Sequence, residues 1–315
     1  MTGAHRETLW AITCYFNPVG YKRRITNYRL FRQHLAVPLV TVELSFDGVF
    51  QLGPDDADVL VQLRGRDVMW QKERLLNLAL TRLPDHCDKV AWLDCDLILP
   101  DDTWAEQAAR ALDEFSLVHL FQERHDLPRE TGPNPLESWT VPSPAISMVH
   151  RMAAEGVAPG EMLLSHPRHD RRSANGLAWA SPRAVLEAHG LYDACTLGSG
   201  DRAVFCAGLG TFDYCTRGLL MNARQAKHYL AWARPYFATV RGRIGSISGH
   251  ALHLWHGEVA DRRYGERDRG LQPFDFDPFS DIARDDSGCW RWSSDKPLLH
   301  AYVRRYFEAR NEDGV

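Results

Sequence analysis

Hydrophobic positions in the first hundred residues change period several times, and each change predicts a new element. Leu9 to Phe16 is an apolar run closed by Asn17-Pro18, a strand followed by a breaker. Residues 21–35 then place Tyr21, Ile25, Tyr28, Phe31 and Leu35 at three- and four-residue intervals, which predicts one amphipathic helix with a basic outer face. Pro38 to Phe46 predicts a second strand and Val59 to Leu63 a third, shorter one. A helix from about Val68 to Arg82 turns Leu75, Leu76, Leu78, Ala79 and Leu83 inward, and Val90 to Leu93 forms a strand that delivers Asp94. Strands alternating with helices imply right-handed crossovers and a mainly parallel α/β sheet flanked by helices.

The pattern loosens after Leu99. Pro100-Asp101-Asp102-Thr103 predicts a helix start, Trp104 to Phe115 a helix and Ser116 to Gln122 a strand. Pro128, Pro133, Pro135, Pro142 and Pro144 crowd residues 124–147 and predict a long irregular loop, of a length usually tied to function or mobility. Gly176 to Ala180 predicts a short strand. Ser181-Pro182 reads as an N-cap with a first-turn proline, opening a helix that stops at Gly190.

Composition narrows the class. A content of 44% hydrophobic and 25% charged residues is ordinary for a globular chain of 315 residues. The net charge of −4 gives no overall basic footprint for nucleic acid. No run of 18 apolar residues predicts a membrane span, and the N-terminus lacks the apolar core of a secretory signal. Seven scattered cysteines form no C-x-x-C pair, which points to reduced thiols and a cytoplasmic location.

Candidate chemistry concentrates at three places. Asp94 and Asp96 interrupt the apolar run Val90–Leu99, and on an extended backbone alternate residues face one side. Two hard oxygen donors at a strand end suit Mg²⁺ or Mn²⁺ carrying a diphosphate. Gly198-Ser199-Gly200 places Asp201 at the start of a helical segment, Arg202 to Leu209, where it either caps the helix or serves as a base kept ionised by the helix dipole. His250, His253 and His256 recur every three residues, on one helix face or along a strand leading to a turn at Gly257. Their spacing is not H-E-x-x-H and no third protein ligand for zinc is evident, which argues against a zinc hydrolase. Asn17, Glu43, Arg64 and Asp94 fall at carboxyl ends of predicted strands, where open α/β sheets bind ligands. Arg64 and Lys72 carry the charge to pair with phosphate or nucleobase groups.

These residues, in this order, resemble nucleotide-sugar-dependent glycosyltransferases of the GT-A fold, closest in style to family 2. The likeness spans roughly residues 8–260. It implies an enzyme, a hexosyl- or pentosyltransferase, that uses Mn²⁺ or Mg²⁺ and a nucleotide-sugar donor, UDP-sugar foremost. Carried over by position, Asp94 and Asp96 resemble the metal-binding D-x-D, Asp201 the general base of an inverting transfer, and His253 or His256 the last metal ligand. Asn17, Glu43, Arg64, Lys72 and Asp94 fall to the donor. The base position departs from the usual pair of acids, having Gly200-Asp201. The implied organisation is a nucleotide-sugar-binding half (1–123), an acceptor and catalytic half (124–260) and a C-terminal extension (261–315). The acceptor stays open, nucleic acid included. A metal-dependent nucleotidyltransferase or phosphohydrolase is one alternative, although it would want more carboxylates around two metals. A non-catalytic sugar- or nucleic-acid-binding protein, stacking ligands on some of the ten tryptophans, is the other.

Overall fold

Strand β1 (Leu9–Phe16) buries every side chain but Trp10, so it has no face to offer water and needs an apolar layer on both sides. It lies near the middle of a seven-stranded sheet ordered β11 (Ile244–Ser246), β6 (Leu117–His119), β10 (Ala178–Pro182), β4 (Lys89–Leu93), β1, β2 (Leu39–Ser45) and β3 (Val59–Arg64). The run β4, β1, β2, β3 is parallel throughout. Only β10 is reversed, antiparallel to both β4 and β6, and β11 closes the far edge parallel to β6. The computed structural model describes residues 8–131, 134–137, 139, 143–158 and 172–314, and these make a mixed α/β fold with a mainly parallel sheet flanked by helices.

Strand alternation sorts the core into two layers. Ile12, Cys14, Val40, Val42, Val90 and Trp92 face helices Lys72–Leu80 and Gly200–Leu209, while Ala11, Leu39, Ala91 and Leu93 face Phe31 and helix Trp104–Ala111. A second sheet, ordered β5 (Leu97–Ile98), β12 (His250–His253), β7 (Glu123–Asp126), β8 (Ala145–Ser147) and β9 (Ser173–Ala174), stands beyond the carboxyl end of β4. The hairpin β13 (Ile282–Arg284) and β14 (Trp290–Trp292) and helix Pro297–Glu308 follow. The main sheet takes strands from both sides of residue 123.

Several boundaries differ from the sequence pattern for local reasons. The helix expected over 68–82 runs Lys72–Leu80, and that expected over 104–115 runs Trp104–Ala111. The proline-rich stretch begins and ends in strands, because Glu123–Asp126 pairs with β12 and Ala145–Ser147 pairs with β7. Pro133 and Pro142 lie outside the described residues. Ser181 does not cap the next helix. It is still paired in β10 and its hydroxyl donates to the Ser116 carbonyl, so Pro182 takes the cap position, and the helix ends at Gly190 as its sequence predicts. The three histidines occupy a strand rather than a helix, with His256 just past its end. All seven cysteines are free, and no described helix is long and apolar enough to cross a membrane.

Candidate functional site

At the end of β4 the Asp94 N–H donates to the Leu177 carbonyl at 2.8 Å, and the chain then turns through Cys95-Asp96 into β5. The turn breaks the alternation expected of an extended strand. Both carboxylates still line one cavity of about 580 Å³ over the carboxyl ends of β1 and β4, together with Lys72, Asp201, His253 and His256. Within it they look to different partners.

Asp94 belongs to a lysine pole. Lys72, the first residue of its helix and nearly buried, places Nζ 2.5 Å from Asp94 Oδ1 and 2.9 Å from Asp201 Oδ2. Burial works against the ammonium, but Asp201 and Asp94 outweigh it and hold Lys72 protonated far above its usual range. Burial and the neighbouring Asp201 and Asp96 carboxylates push Asp94 up to about 7, against the pull of Lys72. Burial likewise raises Glu73, the next residue on the helix, to about 8, so it carries a proton at neutral pH. One ammonium therefore serves two ionisable aspartates beside a protonated glutamic acid. Glycine is required where helix Gly200–Leu209 meets this group: a Cβ on Gly200 would stand 2.1 Å from Glu73 Oε1. The preceding Ser199 adopts the left-handed region at φ 83°, which turns the chain sharply into the helix. Asp201 lies inside the first helical turn, and its carboxylate accepts from Lys72.

Asp96 belongs to a histidine pole. Its Oδ2 lies 3.1 Å from His256 Nε2, its Oδ1 lies 4.0 Å from His253 Nε2, and the two Nε2 atoms are 3.2 Å apart. Each ring is tied on its far side to a carboxylate: His253 Nδ1 to Asp126 at 2.7 Å, and His256 Nδ1 to Glu312 at 3.8 Å. For His253 an Nδ1 proton held by the carboxylate leaves Nε2 as a lone pair, the arrangement that orients imidazoles toward a metal. Burial, reinforced by Arg262, drives His256 down to about 4, so its ring is neutral at pH 7. Burial pushes the Asp96 carboxyl up, yet His256, His253, Arg262 and Arg24 outweigh it and hold it below the usual range. Asp96 Oδ1 is buried with no hydrogen-bond partner among the described residues. Such an orphaned anionic oxygen beside two converging Nε2 atoms fits a divalent cation, which would take the place of the Arg262 N–H at His256 Nε2. Asp94 is not in this three-residue group.

No family model and no curated protein matches this chain. The solved structures it is similar to include glycosyltransferases and a 4-diphosphocytidyl-2C-methyl-D-erythritol synthase from Anaerococcus prevotii. Glucosyl-3-phosphoglycerate synthase from Mycobacterium tuberculosis, in complex with Mn²⁺, UDP and phosphoglyceric acid, aligns over 78% of this chain and 70% of its own at 13% identity and a TM-score of 0.37. A 1–349 fragment of S. aureus TarS aligns over 96% and 72% at 9% identity and a TM-score of 0.39. A Drosophila β1,4-galactosyltransferase 7 in complex with manganese, UDP-galactose and xylobiose aligns over 62% and 59% at 11% identity and a TM-score of 0.29. A likeness this distant decides nothing about chemistry; the side chains have to.

Three residues placed with the donor by sequence stand away from the cavity wall. Asn17 Oδ1 accepts from the N–H groups of Gly20 and Tyr21 and shapes the turn into helix Lys22–Gln33. Glu43 is buried and accepts from the Gln51 N–H and the Gln62 amide. Arg64 lays its guanidinium over Phe50. Glu43 and Arg64 sit at carboxyl ends, but on β2 and β3, while the cavity opens over β1 and β4. The residues that sequence reasoning passes over are Glu73, Asp126, Arg262 and Glu312, each supporting a primary group. Arg262 donates to His256 Nε2 at 2.9 Å, and Glu312 returns from the C-terminus to pair with Arg24 and Arg310 beneath the histidine pole. Asp126 carried a faint signal as a charge beside His125; Glu312 carried none.

Proposed function

We propose that this chain is a metal-dependent glycosyltransferase that moves a sugar from a nucleoside-diphosphate donor to a hydroxyl acceptor with inversion. The observation that carries the reading is the convergence of Asp96, His253 and His256 on one point of a cavity whose opposite pole holds Asp201. A divalent cation held by Asp96, His253 and His256 would neutralise the leaving diphosphate. Asp126 keeps the His253 imidazole in the ligating tautomer, and Glu312 lies 3.8 Å from His256 Nδ1. Lys72 anchors Asp94 and Asp201 in place, and its charge offsets the repulsion between them and an incoming diphosphate. Asp201 accepts the acceptor's hydroxyl proton. Glu73 is protonated at neutral pH and leaves that role to Asp201. Manganese with a UDP-sugar is the first pair to try.

Thermal unfolding with UDP, with and without Mn²⁺, tests the reading, because a ligand that binds only the folded state raises the midpoint with its occupancy. The wild type should gain a Mn²⁺-dependent shift that a chelator abolishes. Asp96→Asn should lose both that shift and turnover of the UDP-sugar while keeping its unliganded midpoint. Full turnover in Asp96→Asn, or consumption of nucleoside triphosphates in place of nucleotide sugars, would sink the proposal.

A further inference from the structure

The strand pair that presents His253 carries a second histidine–carboxylate cluster. Glu123 and His125 are two residues apart on β7, so they share a face, and His250 sits directly across from Glu123 in the parallel register with β12. Asp126 and His253 fall at the other parity and face the opposite side. None of Glu123, His125 and His250 lines the cavity described above. Their donor atoms converge nonetheless: His125 Nε2 lies 3.1 Å from His250 Nδ1, and Glu123 Oε2 lies 3.4 Å from each of them.

We propose that Glu123, His125 and His250 form a second metal site, a zinc clip that pins β7 to β12. Tetrahedral coordination with bonds of about 2.0–2.1 Å sets ligand atoms roughly 3.3–3.4 Å apart, which is the spacing of this trio. Two imidazoles and one carboxylate favour Zn²⁺ over Mg²⁺ or Mn²⁺, whose preferred donors are oxygens. The histidine segment supplies only His250, and the other two ligands, Glu123 and His125, come from the neighbouring strand β7. Trp139 lies against both rings, 4.6 Å from His125 and 5.0 Å from His250, and shields that side of the cluster. The His250 side chain is 43% exposed, which gives an ion a route in and a water molecule the fourth position. An ion here would fix the register that carries Asp126 and His253 to the other face of the same two strands.

The test is a Zn²⁺ titration of the chelator-stripped full chain by calorimetry, in the wild type and in Asp96→Asn, where the cavity site is broken. We expect Asp96→Asn to retain one tight equivalent of Zn²⁺. Adding His250→Ala, or the near-isosteric Glu123→Gln, should weaken that equivalent by tenfold or more. Co²⁺ in place of Zn²⁺ should give the intense visible bands of tetrahedral geometry, and these should vanish in the same variants. If Asp96→Asn fails to fold, the wild type should bind two equivalents and His250→Ala one. No zinc in Asp96→Asn, or zinc and cobalt signals untouched by both substitutions, would overturn the proposal, and neither result bears on the transferase reading.

Discussion

Asp94 and Asp96 are separated by one residue and line one cavity, yet they answer to different neighbours. Asp94 is paired with a buried ammonium and crowded by carboxylates, and burial with that crowding lifts it to about 7. Asp96 is just as enclosed, but histidines and arginines surround it and keep it ionised. The difference shows that a short acidic motif is not one functional unit. The turn at Cys95 splits it between the lysine pole and the histidine pole, to which we assign the proton and the cation respectively.

The largest effect should come from the proton pole. Asp201→Asn keeps the size of the side chain and its approach to Lys72 while removing the basic oxygen. Loss of a general base costs about 10²–10⁴ in rate. Turnover of a UDP-sugar should fall in that range while the Mn²⁺-dependent nucleotide shift persists, and the wild-type product should show an inverted anomer. Full turnover in the variant, or a retained anomer, would reduce Asp201 to a partner of Lys72.

A smaller effect should follow at the cation pole from a residue that touches no ligand. Asp126→Asn leaves His253 without the carboxylate that holds its Nδ1 proton. Removing such a support costs about 10- to 100-fold in metal affinity. A Mn²⁺ titration should show that loss, and at saturating Mn²⁺ the rate should recover, since Asp201 and Lys72 are untouched. A rate deficit that excess Mn²⁺ cannot repair would mean that Asp126 acts on something other than the metal.

The contrast between the poles also marks what the sequence made legible. Period and breakers predicted the strands of the parallel run, since β1, β2 and β4 are apolar enough to announce themselves without help from their neighbours. β7 could not be read this way: Glu-Arg-His-Asp has no strand pattern, and it is a strand only because β12 and β8 supply its hydrogen bonds. Among candidate site residues, the gathering of Asp94, Asp96, Asp201 and Lys72 at one cavity was legible because charges at apolar boundaries stand out. Asp126 and Glu312 were not, because their roles depend on contacts across 127 and 56 residues of chain, from His253 and His256 respectively. Glu43 stood out for the same reason, a charge at a strand end, but its partners are the Gln51 and Leu52 N–H groups and the Gln62 amide.

The smallest effect concerns stability on the acid side, and it bears on the support of the proton pole. His119 is fully buried, with Nδ1 2.7 Å from the Ser147 hydroxyl and Nε2 3.0 Å from the Gly176 carbonyl. Gly176 is packed against Asp201, since a Cβ there would stand 2.8 Å from Asp201 Oδ2. Burial lowers His119 to about 4 from its usual value of 6.5. Below pH 6.5 the unfolded chain therefore takes up a proton that the folded chain refuses, so this contribution to stability is complete above 6.5 and falls as the pH drops toward 4. The loss should reach about 1 kcal/mol by pH 5.5. Denaturant unfolding between pH 7 and 5.5 should show a steeper decline for the wild type than for His119→Gln, which has no group to titrate. Equal slopes would mean that His119 takes its proton on Nδ1 without unfolding, and that the Ser147 hydroxyl turns to accept it.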